Sequence, residues 1–166
     1  HHWITQMTEE NNQAQAGDGP QFGIVRIYLK DVSFETPNSP EAFRQEFKPD
    51  IKLQLNTSVN KLDGDLYEVV LNVTVTSELG EKTGFLVEVQ QAGIFELKGY
   101  DEAQKGPILG AYCPNTLYPF AREAVSDLVA KGGFPQLLLA PIDFDALYRQ
   151  KLNQAESQAA SGQATH

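Results

Sequence analysis

Three consecutive segments of this chain alternate apolar and polar residues with a period of two, and only short turns separate them. In the first, Ile51, Leu53 and Leu55 alternate with Lys52, Gln54 and Asn56. In the second, Tyr67, Val69, Leu71, Val73 and Val75 alternate with Glu68, Asn72, Thr74 and Thr76. In the third, "TGFLVEVQQAGIFEL", Phe85, Val87 and Val89 face away from Leu86, Glu88 and Gln90. This is the period of a strand with one buried face. The "LDGD" at 62–65 supplies an Asp-Gly hairpin signal and "LGEK" at 79–82 the next turn. Strands joined by turns this short run antiparallel, so the segments predict a meander. A further candidate, "FGIVRIYLK" (22–30), places Val25, Ile27 and Leu29 on one side and Ile24, Arg26, Tyr28 and Lys30 on the other. The stretch "DVSFETPNSPEAFRQEFKPD" has three prolines and reads as a long crossing loop.

After Gly110 the period becomes helical. Leu117, Phe120, Ala121, Ala124, Val125, Leu128 and Val129 form an apolar stripe, with Arg122, Glu123, Ser126 and Asp127 opposite, and "KGG" ends it. A shorter helix starts in "IDFDALYRQKL", where Asp143 caps and Phe144, Leu147 and Tyr148 share a face. Strands followed by helices predict an α+β fold with the helices on one face of an antiparallel sheet. The 166 residues suit one domain, 21–152, which would hide roughly 70% of the unfolded chain's surface. "HHWITQ" (1–6) reads as a tag remnant, and polar tails at 7–20 and 153–166 have too little apolar content to offset ordering.

Charge and composition exclude whole classes of function. A net charge of −9 repels nucleic acid and anionic membranes, so a charge-guided partner should be basic. No apolar run approaches the roughly 20 residues needed to cross a bilayer. One cysteine excludes an internal disulfide and, with no export signal, points to the cytoplasm. That cysteine, Cys113, stands at a helix entrance where a thiolate could be favoured, but the three histidines are residues 1, 2 and 166, so the body offers no base. "GEKT" at 80–83 lacks the earlier glycine of a phosphate-binding loop and precedes a strand. The pairs in "DGD" (63–65) and "DFD" (143–145) are turn and cap chemistry. No catalytic residue, metal ligand or cofactor is therefore expected. What stands out is aromatic: Phe34, Phe43 and Phe47 in the crossing loop, Phe144 and Tyr148 in the last helix. Two readings fit these residues, a satellite core beneath the loop or a groove for apolar peptide.

Five blocks decide more: "RIYLKDVSFETPN" (26–38), "DLYEVVLNVTVT" (65–76), "FLVEVQQAGIF" (85–95), "LGAYCPNTLYPFARE" (109–123) and "GFPQLLLAPIDFDAL" (133–147). In this order they resemble the SecB family of bacterial protein-export chaperones over nearly all of residues 22–152. The resemblance implies a four-stranded antiparallel sheet with two main helices on one face, assembled as a dimer of dimers. It implies ATP-independent holding of unfolded precursor proteins and their delivery to the SecA motor. By position it implies SecA contacts at Asp31, Glu35, Leu86 and Glu88, and tetramer contacts at Val87, Val89 and Gln91. Client contacts are expected at Phe34, Phe43, Phe47, Phe144, Leu147 and Tyr148. A small-ligand or structural module, and an enzyme built on Cys113, are the rival readings. The chain departs from the family at Val87, where Cys is common, and at Phe47, where some members have Trp.

Overall fold

Both hairpin signals close as turns. In the computed structural model, which describes residues 19–164, Gly64 and Gly80 each take a φ of 64°, which glycine reaches without a Cβ clash. They join β2 (Asp50–Lys61) to β3 (Leu66–Leu79), and β3 to β4 (Lys82–Lys98). β1 (Gln21–Glu35) pairs with β4, so the antiparallel sheet runs β1-β4-β3-β2, with β1 and β2 as its edge strands among the described residues. Residues 1–6 and most of the tail expected at 7–20 lie outside the described residues.

β1 departs from the expected pattern in two ways. It continues five residues past Lys30, to Glu35, and its register slips between Ile24 and Arg26 and again between Leu29 and Asp31. Each slip is a bulge, which adds one residue and resets which side chains face the core. Ile24 therefore pairs with Phe95 on the same face as Ile27 and Leu29, whereas strict alternation had placed it opposite them. Beyond the second bulge, Asp31, Ser33 and Glu35 share the open face.

The helical half starts earlier than the apolar stripe. Asp101 accepts from the Gln104 backbone N–H at 2.8 Å, and Gln104 accepts in return from the Asp101 backbone N–H at 3.1 Å. This reciprocal capping box starts α1 (Glu102–Pro107). A π-helical turn at Ile108–Tyr112 leads into α2 (Cys113–Lys131), which lies across β4 and β3. Beneath it are Val69, Leu71, Val73, Val75, Phe85, Val87, Val89 and Phe95 from the sheet, packed with Leu117, Ala121, Val125 and Val129 from the helix, all at most 1% exposed. α3 (Phe144–Ala164) starts where expected, with Asp143 Oδ1 accepting from the Ala146 N–H at 3.0 Å. It continues well past Leu152 into the segment expected to be a flexible tail. Residues 151–160 are exposed there, so side-chain propensity (Gln, Ala, Glu) and not packing carries that extension.

Candidate binding surfaces

α2 covers the centre of the sheet and leaves the edges open. On β2, Ile51, Leu53 and Leu55 pair with Ser77, Val75 and Val73, so they form a half-buried apolar row on the helix side. α3 stands across from this row, and between them runs a groove of about 760 Å³ lined by Leu53, Leu55, Ile142, Phe144, Leu147 and Tyr148. Two aromatic residues hold α3 in place. Phe144 is buried against Tyr118, with ring centroids 5.5 Å apart, and the Tyr118 hydroxyl donates to the Ala140 carbonyl at 2.6 Å. Tyr148 lies in a slot made by Gly106 and Gly110, where a Cβ on Gly110 would collide with its ring and one on Gly106 with its hydroxyl. Tyr148 is thus both lining and anchor, whereas Leu147, 41% exposed, faces the groove without supporting the fold.

The crossing-loop aromatics gather elsewhere. Phe134 is their hub, with its ring 4.9 Å from Phe43, 5.6 Å from Phe47 and 5.1 Å from Phe85. Phe34 stacks on Phe85 at 6.0 Å and presses on Gly132, so it joins this cluster from the core side. The six expected client residues therefore fall into two groups, Phe34, Phe43 and Phe47 around Phe134, and Phe144, Leu147 and Tyr148 along the groove. The apolar row from Ile51 to Leu55, which follows Phe47 in the chain, runs between them. Sequence reasoning missed Phe134, which carries no periodic signal after "KGG". It also missed Leu53 and Leu55 as lining, although their alternation marks one exposed-or-buried face.

No helix among the described residues covers the other face of the sheet. Glu35 pairs with Leu86, Ser33 with Glu88 and Asp31 with Gln90, so Asp31, Glu35, Leu86 and Glu88 do share one patch, at one end of β1 and β4. Asp31, Glu35 and Glu88 are exposed and take no part in the ion pairs among the described residues. Next to the patch, the Tyr28 hydroxyl donates to the Glu68 carboxylate, which also accepts from Lys30 Nζ at 3.0 Å and from Asn60 Nδ2 at 3.1 Å. Burial, then the bond to Glu68, pushes the Tyr28 phenol up to about 12, and the same bond holds the Glu68 carboxyl below its usual range.

Val87, Val89 and Gln91 are placed inside the chain, 0%, 1% and 4% exposed on the helix side of the sheet. They are covered within the chain itself, by α2 and the rest of the sheet. Gln91 donates from Nε2 to the Tyr28 carbonyl at 3.0 Å, pinning β1 beside its second bulge.

Cys113 is fully buried, and desolvation pushes its thiol up to about 12. A thiol whose folded value lies above the ordinary value of about 8.5 stays protonated, and that part of the stability is present below the ordinary value and lost as pH rises toward 12. Alkylation of the native protein at pH 8 should therefore be undetectable over a time in which urea-unfolded chain reacts completely. Native-state labelling at the unfolded rate would contradict the burial.

Known proteins supply an independent comparison. The family model described as preprotein translocase subunit SecB matches residues 14–155. The protein-export protein SecB of Methylococcus capsulatus is 55% identical over 153 residues, 92% of this chain and 96% of that relative. That of Nitrosococcus oceani is 54% identical over 160 residues, 93% and 98% of the two chains. Among solved structures, a SecB-like chaperone of Mycobacterium tuberculosis, in complex with an antitoxin peptide, shares the fold with a TM-score of 0.60 at 18% identity, covering 82% of this chain and 94% of that one.

Proposed function

The chain belongs to the SecB family, and from that premise we propose that it is an ATP-independent holding chaperone of the cytoplasm, which binds unfolded precursor proteins and passes them to SecA. The observation that carries this reading is the groove between β2 and α3, apolar along its floor, open along its length and continuous in sequence with the Phe43–Phe47–Phe134 cluster. Such a surface suits extended apolar segments of many sequences, because side chains provide area and the strand edge imposes direction. Holding then works by mass action, since bound chain is withdrawn from folding and aggregation.

Clients contact Phe43, Phe47, Phe144, Leu147 and Tyr148, with Phe34 behind them, and SecA docks on Asp31, Glu35, Leu86 and Glu88. A half-buried Leu86 flanked by unpaired carboxylates fits a partner that covers the leucine and answers the charge. Self-assembly as a dimer of dimers is favoured by the outer edge of β1 over Ile24–Val32, unpaired among the described residues, which exposes Ile24, Val25, Leu29 and Val32 by 40–57%. A long unpaired edge with apolar side chains is a template for a second copy. Val87, Val89 and Gln91 would act on assembly indirectly, through α2 and β1.

The test is refolding of a slow-folding precursor without nucleotide, with native mass recorded in the same buffer. Stoichiometric delay by a species four chains in mass is expected. Refolding at the unassisted rate in the presence of excess tetramer would overturn the reading.

A further inference from the structure

The bulge between Leu29 and Asp31 makes Lys30 an unpaired residue of β1, and its side chain reaches Glu68 on β3, two strands away. The crossing passes over β4 at Ala92, which pairs with Tyr28 on one side and Val70 on the other and interposes only a methyl group. Glu68 is the receiving end for three donors, Tyr28, Lys30 and Asn60, and its side chain is 14% exposed. Beside the far edge of this face a second lysine is also paired, Lys52 Nζ lying 3.2 Å from Glu78 on the neighbouring strand. Both lysines are thus held by carboxylates outside the patch of Asp31, Glu35 and Glu88.

We propose that Glu68 is a positioning residue for partner docking: it sequesters Lys30, so that the carboxylates beside it in β1 and β4 meet a basic partner with no competing ammonium of their own. Lys30 directly precedes Asp31 in the strand, and a freed lysine there would neutralise the patch that the partner must read. The inference rests on the reading of this face as the SecA-docking surface. It assigns a role to a residue that touches no partner.

Binding of SecA to the full-length tetramer is measured at low and high salt for five variants. Glu88→Lys tests the underlying reading, and if it binds like the parent both ideas fall together. With Glu88→Lys weakened, Glu68→Gln should weaken binding roughly three- to fivefold at low salt, with the difference lost at high salt. Gln at 68 still accepts from Tyr28, so client holding and native mass should not change. Lys30→Met with Glu68→Gln should return affinity to within about twofold of the parent, and Lys30→Met alone should bind at least as tightly. Glu102→Gln removes one charge from the exposed start of α1 and should have no effect. Unchanged binding in Glu68→Gln, failure of the double variant to recover, weakening by Lys30→Met alone, or an equal loss in Glu102→Gln would each overturn the inference while leaving the docking surface in place.

Discussion

Phe134→Ala should lower the unfolding free energy by about 3–5 kcal/mol and release the crossing loop in the same step. Its ring is 5% exposed and is the common neighbour of Phe43, Phe47 and Phe85, so truncation leaves a cavity bordered by three aromatic residues from two parts of the chain. Phe85 belongs to the sheet and stays packed under α2. Phe43 and Phe47 have less to return to: Phe43 is 50% exposed, and the loop around it is otherwise tied to the sheet through the buried Ala42 and the Asn38 Nδ2 that donates to the Thr83 carbonyl at 2.8 Å. Urea unfolding at fixed protein concentration, together with amide exchange of residues 41–48, checks both parts. Phe134→Leu, which keeps most of the volume, should cost under about 1.5 kcal/mol and leave the loop protected. A loss below 1 kcal/mol in Phe134→Ala, with exchange in the loop unchanged, would mean that the hub does not hold it.

The residues most legible in the sequence were those whose environment is set by near neighbours. Alternation along β2, β3 and β4 and the two glycine turns dictate a meander because each strand pairs with the next across two to four residues. β1 was less legible, since its partner is β4, more than fifty residues on, and the bulges at Val25 and Lys30 answer to that distant register. Nothing local distinguishes a bulge from an ordinary strand residue. The start of α1 failed for the opposite reason. The helical period is legible only after Gly110, because Gly106, Pro107 and Gly110 look like helix breakers, yet both glycines are needed to seat Tyr148, and the Asp101–Gln104 capping box starts the helix ahead of them.

The same distinction separates the two surfaces. The acidic patch is assembled from adjacent strands, so face assignment along β4 already grouped Leu86 with Glu88, and pairing brought Asp31 and Glu35 alongside. The groove depends on where α3 docks relative to an edge strand ninety residues earlier. The apolar face of the last helix pointed to Phe144, Leu147 and Tyr148, but the opposing wall, Leu53 and Leu55, needs the strand order, which places β2 at the edge beyond the cover of α2.

Leu55→Asp combined with Leu147→Asp should cost on the order of a hundredfold or more in affinity for a long unfolded precursor, while a peptide of about ten residues should lose only about tenfold. Both leucines line the groove from opposite walls, and neither is in the fully buried core: Leu55 is half-buried and Leu147 is 41% exposed. The substitutions therefore attack the surface and spare the anchors Phe144 and Tyr148, whose loss would let α3 undock and confuse binding with folding. A carboxylate on each wall must be desolvated when an apolar segment enters, which opposes binding at every groove the client touches. A short peptide meets this penalty once. A long chain spanning several grooves meets it at each, and the gain in effective concentration that links them is lost as successive sites fail. Affinities for both ligands, with native mass and helix content recorded for the variant, decide the matter. Unchanged affinity in an intact tetramer would remove clients from this groove, and an equal loss for short and long ligands would mean that each client occupies one groove alone.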